Sequence, residues 1–276
     1  MLLKAMLLKA MPLKTRPPTD LLLTDADDVT IMGIRIANRS SAEAVELMMG
    51  VLSERQESAA LGFLVNAHTL NLTSHVTDYA RVIQSARWVF GDGTGVRWAA
   101  RMRGVRMRSN LVGTDLVPRL MEETAGAGYR YFLLGGEEEI IRAASESAAG
   151  RFSGWTLAGH HDGYFADDEA TLIEEINAAA PDMLLVGMGN PLQEMFLWRN
   201  RDTLRVPLCI GVGGIFHHWA GDLTRAPSWV RAWGMEWVQL LLQQPAKWRR
   251  YVFGNPAFLA RAVRSISRDL EVDAHV

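Results

Sequence analysis

The stretch DMLLVGMGNPLQEMFLWRNR, residues 182–201, decides how the rest of the chain is read. An apolar run fit for a strand ends in Gly187, Gly189, Asn190 and Pro191, and amphipathic, helix-like sequence follows at once. Glycines let a backbone approach a ligand closely, Asn190 suits a helix cap, and Pro191 suits the first helical position. Such a helix start presents bare N–H groups to a phosphate. Five other runs end the same way: GFLVNAH (62–68), WVFGDGTG (88–95), YRYFLLGG (129–136), DGYF (162–165) and CIGVGGIF (209–216). As parallel strands of one sheet they bring Asn66, His68, Asp92, Gly136, Asn190 and Gly213 to a common rim. Open α/β sheets bind their ligands beyond that edge, at the carboxyl ends of the strands.

Between these runs the spacing is helical. Ser40 and Glu43 form a capping box ahead of AEAVELMMGVL, and helices are predicted near 77–87, from Thr114, over EEEIIRAASESAAGRF and over 167–179. VTIMGIRI (29–36) alternates like a strand or hairpin. The expected fold is α/β, a Rossmann-like parallel sheet flanked by helices. It occupies residues 29–224, after a flexible tail (1–28) and before a C-terminal helical, membrane-associating appendage (225–276).

Composition narrows the function classes. At 276 residues and 49% hydrophobic the chain builds a real core, and a net charge of −2 gives no global reason to expect nucleic acid. The single cysteine, Cys209, lies in an apolar run and reads as a buried thiol in a reducing compartment. MLLKAMLLKAMPLK interrupts every apolar stretch with Lys4, Lys9 and Lys14, so it reads as a tail, or as a choice of start among Met1, Met6 and Met11, and not as a signal peptide. No apolar stretch approaches the ~20 residues of a spanning helix.

The carboxy-terminal region differs in character. From Arg225 to Arg268 there are eight Lys or Arg against one acid, Glu236. Trp229, Trp233 and Trp237 recur at helical spacing, and Trp248, Tyr251, Phe253 and Phe258 follow. Packing on the sheet explains the tryptophans but not the charge, so the segment is read as a membrane-surface anchor for anionic lipid.

Asp92 is the rim carboxylate. Low-dielectric walls would raise its pKa toward that of a useful general base, and its position equally suits a cap on the next helix. Gly91, Gly93 and Gly95 make only a partial dinucleotide fingerprint with no acidic ribose reader, which disfavours a nucleotide-dependent oxidoreductase. A non-catalytic membrane adaptor is the remaining alternative. Gln193 also sits where a capping-box Gln would. His160-His161 and His217-His218 lack zinc-site spacing, and Asp25-Ala26-Asp27 reads as a solvated turn and not as a metal-holding D-x-D. No metal or other cofactor is expected.

Taken together, VNAHTLN, GDGTGVRWAARMRG, LVGTDLVP, YFLLGG, HHDGYF, LLVGMGNPLQE, GVGGIFHHWAGDLTRAP and GMEWVQLLLQQPAKWRRYVFGNP resemble the WecG/TagA/CpsF glycosyltransferase family over roughly residues 29–256. That family includes teichoic-acid and enterobacterial-antigen N-acetylmannosaminyltransferases and a xanthan glucuronosyltransferase. The resemblance implies inverting, metal-independent transfer from a UDP-sugar to a polyprenyl-diphosphate-linked acceptor. The setting it implies is peripheral, on the cytoplasmic face of a bacterial inner membrane, in cell-surface or exopolysaccharide synthesis. Asp92 matches the family's proposed base, Asn66 its Asn at the first strand end and Gln193 the Gln of its G-x-G-x-P-x-Q-E loop. The substrate-binding set on this basis is Asn66, His68, Gly93, Thr94, Asn110, Thr114, Asp115, Gly136, Gly189, Gln193, Gly213, Arg225, Lys247 and Arg250. This chain departs from the family pattern at Leu64, where Thr is common, and at Asn110, where Arg is. Appendage arginines fall at Leu240 and Lys247, with Arg250 the clear match and Arg225 and Arg249 placed to compensate.

Overall fold

The computed structural model describes residues 28–54, 59–165, 168–227, 230 and 235–274. Its strands are β1 (Asp28–Ile31), β2 (Ile34–Ala37), β3 (Ala60–Val65), β4 (Trp88–Gly91), β5 (Arg130–Gly135), β6 (Thr156–His161), β7 (Met183–Gly187) and β8 (Leu208–Gly211). They form one eight-stranded sheet in the order β1-β2-β4-β3-β8-β7-β5-β6. Only the β1–β2 hairpin is antiparallel. Its turn, Met32-Gly33, has φ of 54° and 77°, the primed geometry that matches strand twist.

The helices are α1 (Ser41–Glu54), α2 (Ala67–Leu72), α3 (Tyr79–Gln84), α4 (Thr94–Arg101), α5 (Gly113–Glu123), α6 (Glu138–Arg151), α7 (Glu169–Ala179), α8 (Leu192–Asn200), α9 (Ile215–Trp219), α10 (Glu236–Gln243) and α11 (Asn255–Ala274). The Ser40–Glu43 capping box forms at the start of α1, with Ser40 N donating to Glu43 Oε2 (2.7 Å) and Glu43 N to Ser40 Oγ (3.2 Å).

Period-two alternation divides the core in two. Phe63, Val65, Val89, Leu134 and Val186 face α2, α3, α4, α7 and α8. Leu64, Phe90, Leu133, Leu185 and Ile210 face α1, α5, α6 and α9. Phe258 and Ala262 of α11, both 0% exposed, enter the first layer beside Val29 and Ile31, so the carboxy-terminal helix is packed into the sheet's own core.

This arrangement fixes where a ligand fits. β8 lies between β3 and β7, yet α9 leaves β8 toward the opposite face from α2 and α8. That divergence opens a crevice at the carboxyl ends of the three strands. Further along, Gly135 has φ of 129°, and a Cβ there would stand 2.5 Å from the Gly187 carbonyl carbon, so β5 and β7 close on one another at the rim.

Two expectations need correction. DGYF is not a strand: the strand is the preceding TLAGHH, and DGYF is the rim loop after it, with Tyr164 N donating to Asp162 Oδ1 at 2.6 Å. As an edge strand β6 is only partly buried, which is why its sequence lacks an apolar run. Asn190 does not cap α8. Pro191 occupies the cap position, and the Asn190 amide turns to Glu194 instead. Asp25-Ala26-Asp27, the Lys4, Lys9 and Lys14 repeat, Trp229 and Trp233 lie outside the described residues. Trp237 is on α10 and stacks with Tyr251, centroids 6.2 Å apart.

Candidate active site

Adjacent strands deliver Asn66 and Asp92 side by side. Val65 pairs in register with Gly91, and Asp92 N donates to Val65 O at 2.8 Å, so the next residue of each strand emerges together. Asn66 caps α2: its Oδ1 accepts from His68 N (3.0 Å) and Thr69 N (3.2 Å), while Asn66 N donates to Thr69 Oγ1 (3.3 Å). Its carboxamide oxygen is thereby fixed at the rim. Asp92 stands one residue before Gly93, the N-cap of α4. Gly93 has φ of 89°, a conformation costly for any side-chain-bearing residue. Its N–H donates to Asn110 Oδ1 at 2.6 Å, so Asn110 holds the turn in which Asp92 sits.

The carboxy-terminal segment reaches this point. Arg250 Nη2 lies 3.4 Å from Asn66 Oδ1. His68 is pushed down to about 4, first by burial and then by the charges of Arg250 and Lys247. Burial and the Arg250 charge also hold the Lys247 ammonium below its ordinary value. Residues as far as 184 positions apart in sequence therefore share one electrostatic environment. His68 is half-buried, and both the loss of solvent and the two neighbouring cations disfavour its protonated form.

Arg225 and Arg249 are differently engaged. Arg225 forms a two-pronged ion pair with Asp115, one prong being Nη2 to Oδ2 at 3.1 Å. Arg249 lies over the Trp248 ring, 5.7 Å from its centroid. Thr114, in the first turn of α5, keeps a buried hydroxyl with no hydrogen-bond partner among the described residues, and a Cβ added at the neighbouring Gly113 would stand 2.9 Å from Leu64 Cδ1 and 3.6 Å from Val212 O.

Gln193 is 1% exposed. Its Oε1 accepts from Gly213 N (3.0 Å) and its Nε2 donates to Glu194 Oε1 (2.7 Å), so it holds the β8–α9 turn to α8 and acts on the crevice through Gly213. Gly189 (φ 77°) accepts from Gln193 N at 3.1 Å within the same loop. Gly136 lies at the end of β5, separated from β8 by β7, and its carbonyl accepts from Gly163 N at 2.9 Å. Of the paired histidines, His217 meets Asp222 at 2.7 Å and His218 meets Leu223 O at 3.1 Å.

Beneath the loop lies a group that sequence reading passed over. Glu194 is 0% exposed, and its carboxylate accepts from Tyr79 Oη (2.9 Å), Asn190 Nδ2 (2.6 Å) and Gln193 Nε2 (2.7 Å). Burial pushes Glu194 up to about 7 against the downward pull of these donors. The unfolded chain releases this proton near 4.5 and the folded one near 7. The stabilising contribution of the protonated form is therefore complete below pH 4.5 and is lost as pH rises through about 7. The unfolding free energy from urea titrations across pH 5–8 should fall for the wild type by an amount on the order of a few kcal/mol and stay flatter for Glu194→Gln. Identical slopes would show that Glu194 does not titrate in this range.

The family model described as "Glycosyl transferase WecG/TagA/CpsF family" matches residues 29–271, nearly the whole sheet together with α10 and most of α11. The chain belongs to this family. Relatives extend the match. The N-acetylglucosaminyldiphosphoundecaprenol N-acetyl-beta-D-mannosaminyltransferase of Bacillus spizizenii is 33% identical over 172 residues, covering 62% of this chain and 66% of that protein. This alignment thus spans about two thirds of the relative's length. The protein of the same name from Bacillus subtilis strain 168 is 31% identical over 173 residues, 63% of this chain and 67% of its own. That of Staphylococcus aureus strain MW2 is 26% identical over 245 residues, 87% of this chain and 95% of its own. Membership makes the chain a transferase of the glycosyl class, with Asn66, Asp92 and the Gln193 loop within the matched span.

Proposed function

We propose that this chain transfers a sugar from a UDP-sugar, of the N-acetylmannosamine or glucuronate type, to a polyprenyl-diphosphate-linked acceptor, with inversion and without a metal. The observation that carries this reading is the convergence of Asn66, Asp92, Lys247 and Arg250 on one rim. The relatives, named for transfer to N-acetylglucosaminyldiphosphoundecaprenol, support the acceptor class.

Asp92 removes the proton from the acceptor hydroxyl as that oxygen attacks the anomeric carbon, and UDP leaves from the opposite face. One base suffices for a single displacement. The diphosphate's growing negative charge is met by Lys247 and Arg250 and by the N–H groups opening α4 and α5. Asn66 fixes the orientation of bound sugar or phosphate, while Gln193 and Asn110 hold the two loops in place.

No helix among the described residues is long and apolar enough to cross a membrane. A lipid-linked acceptor then requires the chain to work at a bilayer surface, which on the family resemblance is the cytoplasmic face. Trp248 and Phe253, exposed with their rings tilted against each other and Arg249 over the Trp248 ring, and the exposed Leu242 of α10 supply apolar and cationic groups for that contact. Incubating the full chain with N-acetylglucosaminyldiphosphoundecaprenol and a panel of UDP-sugars should give one β-linked disaccharide lipid in the presence of EDTA. Turnover with no UDP-sugar, or complete loss on chelation, would overturn the reading.

A further inference from the structure

Between Asp92 and Asp115 the chain carries five arginines and no acidic residue. Two of them are occupied within the fold. Arg103 is 7% exposed and donates to Ala99 O (2.9 Å), Ala262 O (2.9 Å) and Ser265 Oγ (2.8 Å), and Arg108 pairs with Glu43 at 2.7 Å. The other three, Arg97, Arg101 and Arg106, are exposed, and no carboxylate of the described residues lies within ion-pair distance of them. Trp98 and Met102 stand among them at 53% and 42% exposure, one helical turn apart.

We propose that this face of α4, with the loop that follows it, is a second membrane-contacting surface, built into the sheet domain and taking anionic phospholipid headgroups. α4 buries Val96, Ala99 and Ala100 against the sheet, so Arg97, Trp98 and Arg101 point away from it. A merely solvated helix face mixes charge signs and spares its large apolar groups from water; this one does neither. Indole and thioether groups settle at headgroup depth while guanidinium groups meet phosphate, and each cation near an anionic surface adds to the attraction.

The face is also continuous with the carboxy-terminal segment. Arg103 clamps the end of α4 to α11, and the Cβ position of Gly95 stands 3.4 Å from the Phe258 ring. α4 begins at Thr94, two residues beyond Asp92, so a bilayer engaged by α4 brings the proposed base to headgroup level. A lipid-linked diphosphate presents its sugar at that depth. This inference rests on the transferase reading only for its purpose; the contact itself is defined by the surface.

The test uses the full chain and vesicles of phosphatidylcholine with or without phosphatidylglycerol. Arg97→Glu with Arg101→Glu should weaken partitioning onto the anionic vesicles about tenfold or more at low salt, with an unchanged melting temperature. Trp98→Ser with Met102→Ser should leave residual binding that salt removes. Both variants should retain the wild-type rate on a water-soluble, short-chain acceptor. Wild-type partitioning by both variants would overturn the proposal and leave the transferase reading intact, as would a wild-type chain that transfers sugar but ignores the anionic vesicles. Tighter binding of duplex DNA or RNA than of anionic vesicles by this face would also overturn it. Vesicle binding lost in the variants, from a chain that transfers no sugar, would support the surface and remove the function proposed above.

Discussion

Asp92→Asn should lower sugar transfer by roughly a hundred- to ten-thousand-fold, the usual worth of a positioned general base, while UDP affinity and melting temperature stay close to wild type. The substitution keeps the size and shape of the side chain while removing its negative charge and its capacity to accept a proton. The backbone contact that fixes residue 92, Asp92 N to Val65 O at 2.8 Å, does not involve the side chain. Neither does the Gly93–Asn110 bond that shapes the next turn. Single-turnover transfer and isothermal titration with UDP separate the two effects. Activity within tenfold of wild type would remove Asp92 from the role of base, and a parallel loss of UDP binding would recast it as a ligand-positioning group.

The rim was legible in the sequence because each parallel strand announces itself as an apolar run ended by Gly, Asn or Asp. That signal located Asn66 at the end of β3 and Asp92 at the end of β4. It failed at β6, whose place at the sheet's edge leaves TLAGHH half-exposed, so the adjacent aromatics of DGYF drew the assignment. Pairings across long sequence distances were invisible for a different reason. Composition revealed a cationic carboxy terminus, but not that Arg225 is held by Asp115 while Arg250 reaches Asn66. Glu194 was missed because a carboxylate in a helix reads as solvent-facing. Only the fold, by bringing Tyr79 to it across 115 positions, shows that its oxygens are hydrogen-bonded inside the protein. Gln193 was found through its motif, yet its buried amide serves the Gly213 turn, a role that spacing alone does not distinguish from ligand contact.

Arg250→Ala should lower kcat by about a hundred- to a thousand-fold, comparable to losing one preorganised donor to a developing anion, with a smaller change in KM for the UDP-sugar. The ground-state nucleotide already carries charge that solvent and Lys247 can share. What the departing diphosphate gains in the transition state falls on the cation nearest the rim, and Arg250 is within 3.4 Å of Asn66 Oδ1. A second readout is independent of turnover. Arg250 is among the causes that hold His68 near 4, after burial, so its removal should raise the His68 titration point seen by NMR toward 6.5 without reaching it. The sign follows from removing a positive charge beside a group that becomes positive on protonation. Arg250→Lys should restore the His68 shift more fully than the rate, because lysine supplies the charge without the planar two-pronged donor geometry. A kcat within threefold of wild type together with an unmoved His68 would show that the carboxy-terminal segment does not complete the site. A moved His68 with normal kcat would keep Arg250 at the rim but place the leaving-group charge on Lys247, which Lys247→Ala would then expose.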